Sequence, residues 1–124
     1  AHVAKIARLR FPDSAVPDSL RENFSRMSEV CVAMIQLANQ SLKDRDAVAA
    51  LRMAEIDHEM DHLRRDHFGV LLGKNWSGSV EQAIDVALLG RYFERFADHA
   101  VAVARRVIYI ITGQFPEGEE WPNA

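Results

Sequence analysis

The chain has 124 residues, 48% apolar and 27% charged, with 15 Lys plus Arg against 18 Asp plus Glu and a net charge of -3. That is enough sequence for one domain, and the composition is not that of a disordered one. The absence of a basic excess argues against nucleic-acid binding, and the longest apolar runs, such as Val107-Ile108-Tyr109-Ile110-Ile111, fall far short of the ~20 residues a membrane-spanning helix needs.

Apolar residues recur at three- and four-residue steps, and Asn-Gly or Asp-Gly hairpin turns are absent. The expected fold is all-α: an antiparallel up-down three-helix bundle preceded by the end of a truncated helix. Residues 1–11 are good helix sequence without an N-cap, and Arg8 and Arg10 suit the negative end of a helix dipole. They read as the last turns of a helix from a preceding unit, so that the chain is a piece of a longer protein. The alternative is a short N-terminal helix of a complete domain. Phe11-Pro12-Asp13-Ser14 breaks this helix, and 12–16 read as a linker.

The three-helix domain is predicted over 17–113. Its first helix begins near Pro17 and ends near Ser41 or Leu42, with Leu20, Phe24, Met27, Cys31, Met34 and Ala38 on one stripe. The second starts around 44–46 and carries Met53, Ile56, Met60, Leu63, His67 and Val70, with Gly73 closing it. A polar loop follows, in which Trp76 is placed to cap the bundle. Ser79 and Gln82 fit a capping box opening the longest helix, from Val80 to Thr112, with Gly113 as its C-cap. Leu89, Phe93, Phe96, Ala100, Val103, Val107 and Ile110 or Ile111 form its apolar face. The tail, 114–124, is expected to be poorly ordered unless Trp121 docks. Cys31 lies on the core stripe and reads as a small apolar side chain; as the only cysteine it points to a reducing, cytoplasmic setting.

Three patterns could carry chemistry. On the last helix, Arg91, Glu94, Asp98 and Arg105 follow the same steps as Val80, Ile84, Ala87, Val101 and Ile108, a charged band within a second, partly apolar face. It reads as a binding surface or as a solvated face with local ion pairs. Asp57 and Asp61, like Glu94 and Asp98, are four residues apart, which places their Cβ atoms about 5–6 Å from each other and makes the carboxylates repel. Two such pairs on neighbouring helices supply four hard oxygen donors, suited to magnesium, manganese, calcium or iron. Thirdly, His58-Glu59-Met60-Asp61-His62 matches the H-E-x-x-H zinc pattern, and Glu55 to His58 and Glu59 to His62 match the spacing of di-iron bundles. A helical metalloenzyme using His58, Glu59 and His62 is therefore the alternative reading. No strand is expected to hold a peptide substrate, and the first long helix offers Met27, Met34 and Leu37 where a di-iron bundle needs carboxylates. No glycine-rich phosphate loop or Ser-His-Asp arrangement is present, so there is no positive case for an enzyme.

The run Leu88-Leu89-Gly90-Arg91-Tyr92-Phe93-Glu94-Arg95-Phe96-Ala97-Asp98-His99-Ala100, continued by Val107-Ile108-Tyr109-Ile110-Ile111-Thr112-Gly113, closely resembles the signature helix of the PhoU family of bacterial phosphate-signalling regulators. Asp57-His58-Glu59-Met60-Asp61 resembles that family's acidic Asp-x-x-x-Asp position. The resemblance covers about 17–113, and the actinobacterial, PhoY-type members look most similar. It implies one of two tandem three-helix repeats, with residues 1–7 ending the signature helix of the other. It implies that Asp57, Asp61, Glu94 and Asp98 are metal ligands on the bundle surface, for iron, zinc, manganese or magnesium, with Arg91 beside them. His58 and His62 depart from the pattern. The implied function is regulation of phosphate uptake and phosphate-starvation signalling, as an adaptor between the phosphate ABC transporter ATPase and a sensor histidine kinase. The protein would work as a homodimer, peripheral to the inner membrane face without insertion.

Overall fold

The computed structural model describes residues 1–116. Helix α1 spans His2–Arg10, a 3-10 turn Asp18–Leu20, helix α2 Arg21–Asp44, helix α3 Ala47–Leu72 and helix α4 Val80–Thr112. There is no strand among the described residues, and each of the three long helices touches the other two. The all-α, up-down three-helix bundle is therefore as expected; the expectation for Trp121 lies outside the described residues.

The caps explain the boundaries. Asp46 accepts hydrogen bonds from the Val48 and Ala49 amides at 3.0 and 3.1 Å. Ser79 and Gln82 close the expected capping box, at 3.0 and 3.1 Å. Gly113, at φ 76°, ends α4. Two details differ from expectation. The first long helix opens with the 3-10 turn and becomes α-helical at Arg21; it runs on to Asp44 because Arg45 turns left-handed (φ 49°) and returns its amide to the Ser41 carbonyl. Gly73 closes α3 in an extended conformation (φ -74°), so a left-handed glycine cap is not what stops that helix.

All four methionines, Met27, Met34, Met53 and Met60, are fully buried between the helices, where their flexible thioethers fill irregular space. α4 meets them with Ala97, Ala100 and Ala104, which let the helices approach closely. Trp76 packs against this core from the loop. The expected division of α4 into an apolar face and a separate charged face needs correction. Val101 and Ile108 are core residues, whereas Phe96, Ile110 and Ile111 are exposed, as is Val70 at the end of α3. α4 packs between α2 and α3, so its buried arc is broad and centred near Ala97 and Ala104. The charged positions flank that arc on the α3 side.

α1 packs on α4. Ile6 is buried, His2 stacks on Tyr92 with ring centroids 4.9 Å apart, and Arg10 forms ion pairs with Glu81 and with the buried Asp85. A buried carboxylate stripped of its cation is far more costly than an exposed one. Arg10→Ala is therefore expected to lower the thermal midpoint by several degrees, with Arg8→Ala close to neutral, as read by calorimetry. Equal midpoints for the two variants would mean that the pair does not anchor α1.

Candidate metal centre on the α3–α4 face

Helices α3 and α4 run antiparallel: His67 lies on Gly90, Arg64 reaches Glu94, and Asp57 faces Asp98. Asp57, Asp61 and Arg64 fall at four- and three-residue steps on α3, and Arg91, Glu94 and Asp98 do the same on α4. The two sets meet along the groove where the helices touch. Asp57 is partly buried. Burial first, then the charges of Asp61 and Asp98, push its carboxyl up to about 6, with His58 pulling the other way. Three of the four expected carboxylates thus share one local field. The fourth, Glu94, is partly buried and is held by ion pairs to Arg64 and Arg91.

The cation already among these acids is Arg64. Its side chain is 17% exposed, and its guanidinium lies 5.2 Å from the Phe68 ring centroid. Burial and the neighbouring Arg91 lower its pKa, while Asp61 and Asp98 oppose that shift. Arg64 escaped the sequence reading although its signal was available, because it lies seven residues after Asp57 on the same face. Among the described residues no three His, Cys, Asp or Glu side chains close into a ligand cluster. The donor chemistry nevertheless suits a hard cation: Asp57, Asp61 and Asp98 share one local field, and Glu94 lies beside them.

The zinc-like motif is differently disposed. Glu59 accepts a hydrogen bond from Arg26 Nε of α2 at 2.6 Å, so its carboxylate is engaged across the bundle. The His62 ring, 72% exposed, lies 3.7 Å from Asp66. His58 is exposed. The Cys31 thiol is buried, and burial pushes it up to about 11, in keeping with a core role.

Beneath the carboxylates lies a packing device. His67 is fully buried, stacked on Phe24 at 5.5 Å, and neither ring nitrogen has a hydrogen-bond partner among the described residues. It fits only because residue 90 is glycine: a Cβ there would lie 2.2 Å from His67 Cε1. The Gly-Arg start of the signature run thus has two physical reasons, room for an imidazole and a guanidinium for Glu94.

A family model described as the PhoU domain matches residues 24–107, which include both acidic pairs. The chain belongs to the PhoU family. It is 44% identical over 123 residues to the "phosphate-specific transport system accessory protein PhoU homolog 1" of Mycobacterium leprae, an alignment covering 99% of this chain and 55% of that protein. It is 46% identical over 115 residues to the PhoU homolog 2 of Mycobacterium tuberculosis, covering 93% and 54%. The PhoU homolog of Zymomonas mobilis is 33% identical over 94 residues, covering 73% and 40%. The chain spans about half the length of the curated relatives it matches. No solved structure matches it. Among the described residues, no helix of this PhoU domain is long and apolar enough to cross a membrane.

Proposed function

We propose that this PhoU domain is part of a non-catalytic accessory protein of phosphate transport, one that represses phosphate uptake by contact with other proteins. The observation that carries the reading is the family match over 24–107, reinforced by relatives named as accessory proteins of the phosphate-specific transport system. In this reading the protein is a cytoplasmic homodimer at the inner membrane face, linking the transporter ATPase to a sensor histidine kinase. Asp57, Asp61, Glu94 and Asp98 hold a metal ion there, with iron, manganese, zinc and magnesium as candidates. The ion's contribution would be positive charge where Asp57, Asp61 and Asp98 crowd one another.

Two measurements test this. The full-length protein should restore phosphate-dependent repression of uptake genes in cells deleted for their own PhoU protein; failure with normal protein levels rejects the regulatory reading. For the site, elemental analysis after dialysis against iron, manganese, zinc or magnesium should show bound metal in the parent and loss of most of it in Asp57→Ala/Glu94→Ala, with helical circular dichroism retained. Unchanged metal content in the double variant rejects these ligands. Light scattering reads the dimer directly.

A further inference from the structure

The acids of the α3–α4 groove are gathered but do not converge: no three of them close into a ligand cluster among the described residues. Glu94 is the member most firmly turned to another task. Its Oε2 pairs with Arg64 of α3 and its Oε1 with Arg91 of its own helix, so each carboxylate oxygen already faces a guanidinium. A divalent ion drawn to Asp57, Asp61 and Asp98 meets Glu94 with both oxygens engaged.

The two arginines are not equivalent. Arg91 is 54% exposed and lies three residues before Glu94 on α4, a pairing that forms and breaks easily in water. Arg64 crosses from the other helix, is 17% exposed, and rests its guanidinium over the Phe68 ring. It stands in the field of Asp61 and Asp98 as well, so it is aimed at the same acids that a metal ion needs. It is incompletely satisfied there. Its Nε is buried without a hydrogen-bond partner among the described residues, and both burial and the charge of Arg91 work against its charged form. A long side chain so placed can turn its head to water while its stem stays on apolar surface. A guanidinium and a divalent ion repel one another and both attract Glu94, so Glu94 serves one or the other.

We propose that Arg64 is the gate of the α3–α4 site: it holds Glu94 away from the three aspartates, and a divalent cation recruits Glu94 only by displacing the Arg64 head into solvent. Arg64 is thus a positioning residue that sets affinity without touching the ion. An ion bound weakly by the aspartates alone leaves the gate shut, whereas one that competes well for a fourth carboxylate opens it. The inference rests on the metal reading of this groove and adds to it the residue that opposes loading.

The probe is Mn²⁺, a hard cation suited to oxygen ligands, titrated by isothermal calorimetry into the full-length protein, with Asp57→Ala/Glu94→Ala as the blank for ions bound elsewhere. Arg64→Met keeps a stem over Phe68 and removes the head. It should bind Mn²⁺ at least ~10-fold tighter than the parent, with helical circular dichroism unchanged. Arg91→Gln should change the affinity less than ~3-fold. If Arg64 acts by holding Glu94, the gain from Arg64→Met should shrink to under ~3-fold when Glu94→Gln is already present. A gain undiminished by Glu94→Gln overturns the gate, since the arginine would then act through its charge alone. So does an equal gain in Arg91→Gln. A parent that binds Mn²⁺ above the blank, with Arg64→Met no tighter, sinks the gate and leaves the metal site standing. Neither parent nor Arg64→Met binding above the blank rejects both.

Discussion

Gly90→Ala is expected to destabilise the bundle by about 2–3 kcal/mol in chemical denaturation, although alanine is the better helix former by about 1 kcal/mol. The new methyl would lie 2.2 Å from His67 Cε1 and 2.6 Å from Nε2. His67 has no free space to retreat into: it is fully buried between Gly90 and Phe24, with the Phe68 ring 4.9 Å away. Either the imidazole leaves its stacked position or α3 and α4 separate, and both loosen the helices that carry the acidic pairs. His67→Ala alone should also destabilise, through the cavity it leaves. In the double variant the two losses should partly cancel, because the truncated side chain makes room for the methyl. The cycle is expected to show coupling of about 1–3 kcal/mol. A Gly90→Ala protein as stable as the parent would show that the imidazole does not occupy this space.

Stability should respond to pH through two groups of opposite sign, measured with chelator present. Burial first, then Arg64, pushes the His67 imidazole from its ordinary 6.5 down to about 4. The unfolded chain therefore binds a proton that the folded one refuses; stability from this residue is full above pH 6.5 and is lost as pH falls through about 4, on the order of 3 kcal/mol in all. Asp57, raised from 3.8 to about 6, acts in reverse. It favours the fold below about pH 3.8 and ceases to as pH rises through about 6, by about 1–2 kcal/mol after allowance for its contact with water. The parent should thus show only a shallow slope between pH 4 and 6. Asp57→Asn should gain stability at pH 7 and fall more steeply in acid. His67→Gln, whatever its absolute stability, should instead lose the acid-side decline. Parallel curves for all three proteins would show that neither group is perturbed by its surroundings.

Much of this was legible in the sequence because it is local. The capping box at Ser79 and Gln82, the Asp46 cap and the stripe through Phe24, Met27 and Met34 depend on neighbours one turn away. The approach of Asp57, Asp61 and Asp98 also followed from helical spacing once α3 and α4 were taken as neighbours. What the spacing could not supply was the third dimension. Phe96 and Ile110 belong to an apolar pattern yet face outward, because α2 and α3 together cover only the arc around Ala97 and Ala104. The spacing of Glu59 within the zinc-like motif gives no sign of Arg26, which donates to it from another helix. The link from Gly90 to His67 joins residues 23 positions apart, and only packing reveals it.

Arg64 has a consequence for how the acidic groove is maintained. Many small metal-binding domains collapse when stripped of their ion, since nothing else offsets the charge of the ligands. Here a tethered guanidinium, delivered by the same rod that bears Asp57 and Asp61, is bonded to Glu94 and sits in the field of Asp61 and Asp98. The scaffold therefore brings its own counter-ion. Any incoming cation would compete with this resident arginine for the same oxygens.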